Sequence, residues 1–194
     1  MKKFFTSAFD AANKVLACTS RGKDGFIELQ DIIDTVENIS GYQIGLNIKS
    51  FKTLNCGDST SMMSIEQNNN RYLAKILINA DKAPKLQRFA VAHELGHILT
   101  DCITLDYITP NDGNFVISTK LNPDITLIDC RKCLEDNFLY AEQLANIFAV
   151  LVLIPDIMNI KTLSSTDMDN LLSRYGVSCE TIYSKLILDS IWQT

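Results

Sequence analysis

The stretch Val91-Ala92-His93-Glu94-Leu95-Gly96-His97-Ile98-Leu99 constrains this chain more than any other. It reads HExxH inside an apolar run with helical spacing. On an α-helix, residues four apart lie one turn apart on the same face. Both imidazoles can therefore reach one ion. The glutamate after the first histidine can reach a water on that ion and serve as its base. The chain contains two histidines, and both lie in this motif. The competing readings are a chance pattern on a buried helix and a structural or vestigial metal site.

A chain of 194 residues suits one domain, or one with a small appendage, and can bury a core without staples. Its net charge of −5 argues against nonspecific nucleic-acid binding, which favours a basic face. The six cysteines (18, 56, 102, 130, 133 and 179) show no secreted-framework spacing. The opening Met1-Lys2-Lys3-Phe4-Phe5 starts like a signal peptide, but Asp10, Asn13 and Lys14 interrupt the apolar run. No stretch is long enough to span a membrane. These features lead us to expect a cytoplasmic protein with reduced thiols.

Periodicity predicts helices over 3–20 and 26–39, the second stopped by Gly41. Strands are predicted over 42–51, 61–67 and 71–79, the last two forming a hairpin around Asn68-Asn69-Asn70. Asp81 and Pro84 mark the start of the HExxH helix, predicted over 84–102. Phe89, His93 and His97 share one face of it, while Val91, Leu95, Ile98 and Cys102 turn toward a core. Residues 103–134 are irregular, with apolar runs at 115–118 and 125–128. Irregular segments of that length are often functional. A second strong helix runs over 136–153 and closes at Pro155. Two short helices flank Gly176-Val177-Ser178, where Gly176 suits a helix stop and Ser178 a cap.

A catalytic zinc commonly keeps three protein ligands and an open position. Thr100 and Ile103 occupy the places that a third histidine motif would need, so a carboxylate or a cysteine must complete the set. Asp101 lies a further turn along and overshoots, and Cys102 points away from His97. Glu142, 45 residues beyond His97 on the second strong helix, is the better candidate. Leu139, Ala145, Phe148 and Ala149 dock that helix and hold Glu142 at a fixed height. Asn146, one turn on, can hydrogen-bond a ligating histidine. Glu135 and Asp136 stay open as alternatives, though both suit helix capping.

Together, Phe89-Ala90-Val91-Ala92-His93-Glu94-Leu95-Gly96-His97, Glu142-Gln143-Leu144-Ala145-Asn146-Ile147-Phe148-Ala149 and Leu153-Ile154-Pro155 resemble the ImmA/IrrE family of metallopeptidases. The resemblance covers about 40–190. It implies an α+β, minimal zincin-like core. A small sheet of about three strands packs on the HExxH helix and a second ligand-bearing helix, followed by helix-turn-helix-like C-terminal helices. It implies one zinc ion per chain held by His93, His97 and Glu142, with Glu94 as the base. It also implies a protein substrate, commonly a DNA-binding repressor in a mobile-element or stress circuit. Ile154 stands where the family usually has Met. The interval between the ligands is long, so an insertion at 104–134 is expected to cover or reshape the cleft. The helix before residue 20 lies outside the pattern.

These readings divide the chain into N-terminal helices (1–40), a metallopeptidase core (41–160) and a helical tail (161–194). Strand 71–79, from Arg71 to Asn79, runs into the HExxH helix and is expected to be a sheet edge that binds extended substrate. Tyr72, Tyr107 and Tyr140 are candidates for stabilising the oxyanion. Cys130-Arg131-Lys132-Cys133 lacks the second ligand pair of a structural zinc site. Asp167, Asp169 and Glu180 argue against direct nucleic-acid binding by the tail. The alternatives to a peptidase are a zinc-holding regulatory protein that cleaves nothing and a DNA-binding regulator acting through its last helices.

Overall fold

The computed structural model describes residues 6–22, 24–54, 59–68, 71–100, 114–119, 137–155 and 164–192. Helix α1 (Thr6–Cys18) buries Ala8, Phe9, Ala11, Ala12 and Val15 along one stripe. Helix α2 (Leu29–Ser40) does the same with Ile32, Ile33 and Val36. It stops where Gly41 takes φ 74° and donates its N–H to the Glu37 carbonyl, a left-handed turn that glycine makes without a Cβ penalty. The chain continues through β1 (Gln43–Lys49), a short α3 (Phe51–Leu54), β2 (Ser61–Asn68) and β3 (Arg71–Asn79). Then come α4 (Pro84–Leu99), β4 (Asn114–Thr119), α5 (Asn137–Leu153), α6 (Ser165–Tyr175) and α7 (Cys179–Trp192).

The fold is α+β, with a four-stranded mixed sheet in the order β1-β3-β2-β4. Strands β2 and β3 form the expected hairpin, in register from Asn68↔Arg71 to Ser61↔Ile78. Strand β1 joins β3 in parallel, from Gln43↔Leu73 to Lys49↔Asn79. This corrects the expectation for strand 71–79. It is an inner strand with a neighbour on each side, so its main chain is already bonded and cannot receive a peptide. A parallel partner arriving from a distant segment leaves no mark in the local pattern of either strand. The segment expected as an insertion supplies β4, which pairs antiparallel with β2 from Ser61↔Thr119 to Glu66↔Asn114. Among the described residues, β1 and β4 are the outer strands.

Alternation along the hairpin buries Met63, Ile65, Ala74, Ile76 and Ile78 on one face. Helix α4 packs against β2 and β3, with α2 and α5 also in contact with it and α1 against α5. Residues from α1, α2, the sheet, α4, α5 and the tail share one hydrophobic cluster. Every residue from Ala90 to His97 is buried, so α4 has no solvent side through this stretch. That departs from the two-faced helix the sequence suggested.

The joint between β3 and α4 is pinned by two side chains. Asn79 is buried; its Oδ1 accepts from the Asp81 N–H at 3.0 Å and the Phe51 N–H at 3.4 Å. Its Nδ2 donates to the Ser59 carbonyl at 2.9 Å. Asp81 does not cap α4; Ala83 holds the cap position, ahead of Pro84 in the first turn. Instead, Asp81 Oδ2 accepts from Ser50 Oγ at 2.8 Å and the Lys52 N–H at 3.3 Å, bonds that lower its pKa.

In the tail, Gly176 at φ 61° ends α6, and Ser178 Oγ accepts from the Thr181 N–H at the start of α7. Among the described residues, no helix is long and apolar enough to cross a membrane.

Candidate metal centre

Helix α4 carries His93 and His97 one turn apart, facing α5. Their Nε2 atoms lie 3.0 Å from each other, with the rings edge-to-face. From α5, the Glu142 carboxylate meets both imidazoles. Oε2 lies 3.3 Å from His93 Nε2, and Oε1 lies 3.3 Å from His97 Nε2. One ligating atom from each of the three residues can be chosen so that all lie within 4.8 Å of one another. His93 is fully buried and Glu142 is 8% exposed.

The donor set fits a zinc-type ion. Around a tetrahedral ion with bonds of about 2.0–2.1 Å, donors stand about 3.3–3.4 Å apart. The observed gaps of 3.0 and 3.3 Å are close to that spacing. Glu142 Oε1 is buried and makes no hydrogen bond among the described residues, although it faces His97. A buried acceptor of this kind is costly unless something compensates it, and a cation between the three groups would do so.

Asn146, one turn beyond Glu142, sets the tautomer of His93. Its Oδ1 lies 2.8 Å from His93 Nδ1 and can only accept, so Nδ1 carries the proton. In the neutral ring, Nε2 is then a bare lone pair aimed at the other donors.

Electrostatics couple the pair strongly in the metal-free site. Burial opposes charge on His93, but the Glu142 carboxylate, with Glu94 and Asn146, raises its pKa above the ordinary histidine value. Burial likewise opposes ionisation of Glu142, yet the two imidazoles it faces, His93 and His97, hold its pKa down at about 2. Glu94 is buried beside this cluster, close enough for its carboxylate to act on His93.

The structure thus brings His93, His97, Glu142, Asn146 and Glu94 together. Asp101, Cys102, Glu135, Asp136, Tyr107, Cys130 and Cys133 lie outside the described residues, as does the side chain of Tyr140. Tyr72 stacks on Tyr42, with ring centroids 5.0 Å apart, and among the described residues nothing ties its hydroxyl to the metal cluster.

The sequence reading passed over Gly96. A Cβ there would lie 2.9 Å from Ala145 Cα, 3.0 Å from the Ala145 carbonyl oxygen and 3.1 Å from Phe148 Cδ1. A glycine inside an otherwise good helix was the available sign, because it usually marks a close approach.

The family described as IrrE N-terminal-like domain (Peptidase_M78) matches residues 58–102, which span β2, β3 and α4. Over these residues the chain is similar to the ImmA/IrrE family. The match ends before α5. Glu142 therefore lies outside the matched residues and meets His93 and His97 through its position in the fold. Searches of curated proteins and of solved structures gave no match. The match supports a metallopeptidase-family role.

Proposed function

We propose that this chain is a zinc-dependent metalloendopeptidase that hydrolyses a peptide bond in one specific intracellular partner protein, a DNA-binding transcription repressor. The observation supporting the catalytic part is the convergence of His93, His97 and Glu142, with Glu94 directly after the first histidine. The repressor as substrate rests on the ImmA/IrrE resemblance. His93, His97 and Glu142 would hold one zinc ion. When bound, the ion supplies a Lewis acid for the scissile carbonyl and lowers the pKa of the attacking water. Glu94 would accept that water's proton and pass it to the leaving amine. Asn146 would keep His93 in the tautomer that presents Nε2. Substrate cannot add a strand at β3, so an extended peptide would need a ladder at β1 or β4.

The test compares zinc-loaded wild type with Glu94→Gln, which keeps shape but cannot take the proton. Both proteins are added to a lysate of the source cells, and new protein N-termini are catalogued. The expected result is a small set of new termini, concentrated in one partner, with wild type. Glu94→Gln should bind zinc equally and lose at least the roughly 10²–10⁴-fold that a general base contributes. Identical termini with the two proteins would reject the mechanism.

A further inference from the structure

Gly96 lies immediately before His97, and Ala145 lies immediately before Asn146 and three residues after Glu142. A close approach of α4 and α5 therefore sits inside the ligand set. The atoms that a Cβ at Gly96 would strike first, Ala145 Cα and O at 2.9 and 3.0 Å, are main-chain atoms of α5. No rotamer change can relieve that contact; only movement of a helix can. Carbon atoms in ordinary contact stand about 3.5–4.0 Å apart, so a methyl group at position 96 would push α5 back by roughly half an ångström or more. The donor gaps of 3.0–3.3 Å between α4 and α5 would widen by a similar amount.

We infer that Gly96 is a positioning residue: its missing side chain sets the α4–α5 spacing at which Glu142 completes the metal site with His93 and His97. This rests on the metal-centre reading above. It also runs against local propensity, since alanine is the better helix former by about 1 kcal/mol in a helix interior.

The experiment titrates the metal-free full chain with cobalt(II), read by its visible absorption bands, and with zinc in competition with a chelator. Wild type is compared with Gly96→Ala, Ile32→Val and Gly45→Ala, with melting temperature measured on each. In Gly96→Ala, zinc affinity should fall about tenfold or more, the scale of damage seen when ligand support is lost, and the cobalt bands should shift. Gly45→Ala should match wild type, because a Cβ there meets only the Ala74 carbonyl oxygen at 4.0 Å. Ile32→Val removes buried packing on α2 without adding an atom between α4 and α5. It should lower the melting temperature while keeping affinity within about twofold of wild type, small against that tenfold scale.

Unchanged affinity and bands in Gly96→Ala would overturn the inference while leaving the metal centre standing. So would an equal loss of affinity in Ile32→Val, which would make general packing the cause. If Gly96→Ala does not fold, Ala145→Val decides, since it thickens α5 at the same crossing. Weaker cobalt binding by folded Ala145→Val supports the spacing role, and wild-type binding overturns it. Wild type that takes up neither cobalt nor zinc would overturn the metal-centre reading itself.

Discussion

Glu142 is the acidic member of the candidate ligand set. It faces two imidazoles from a buried position, and its pKa of about 2 reflects their pull on the carboxylate winning over burial. Replacing it with alanine removes one ligand and leaves two imidazoles facing a gap. Glu142→Ala should weaken zinc binding by at least about 10–100-fold, checked by chelator competition. Full zinc retention would assign the third ligand to another acid.

The site should also respond to pH. The raised pKa of His93 means that the metal-free protein keeps a proton on this imidazole to higher pH than an ordinary histidine would. Metal must displace that proton, so zinc affinity should fall as pH drops through and below the histidine range. For the metal-free fold the sign is fixed by each group. The His93 contribution is fully present below its unfolded value of 6.5 and is lost as pH rises through its higher folded value. The Glu142 contribution is present above its unfolded value of 4.5 and is lost as pH falls toward about 2. Thermal melts of metal-free protein across pH 2–8 should therefore show both flanks. Their absence in wild type, or their persistence in Glu142→Ala, would disprove the coupling.

Among the secondary-structure elements, α4 stands out because it is buried on every side around the motif. Its direction is set at the β3–α4 joint, where Asn79 bonds two main-chain N–H groups and one carbonyl. Alanine at this position strands those groups inside the protein. At about 1–3 kcal/mol for an unsatisfied buried group, with some relaxation, Asn79→Ala should cost about 2–4 kcal/mol. Denaturant unfolding measures this directly. A loss under about 0.5 kcal/mol, the range of ordinary surface substitutions, would mean that Pro84 and packing alone aim the helix.

At the scale of the whole molecule, the sheet order decides what a mutation in β3 does. Had β3 been an edge, proline at Lys75 or Ile76 would have cost little beyond peptide binding. As an inner strand between β1 and β2, it has no place for a residue without an N–H. Ile76→Pro should cost 3 kcal/mol or more and leave little folded protein, judged by circular dichroism. A well-folded Ile76→Pro variant would argue against the sheet order described here.

Much of this protein was legible from local pattern. Helical and strand periodicities located most elements to within a few residues, because one buried face per element imposes its own spacing. The spacing of His93 and His97, together with Glu142 on a second docked helix, picked out residues that the fold brings together at 3.0–3.3 Å. Three features needed the tertiary structure. The parallel pairing of β1 with β3 joins segments that share no turn, so neither strand's sequence encodes its neighbour. The all-round burial of α4 depends on α2, α5 and the sheet arriving from separate parts of the chain. The role of Gly96 exists only where another helix's backbone comes within 3.0 Å of its missing Cβ. Residue chemistry along the chain determined which groups could hold an ion, and the approach of two distant helices decided that they stand close enough to do so.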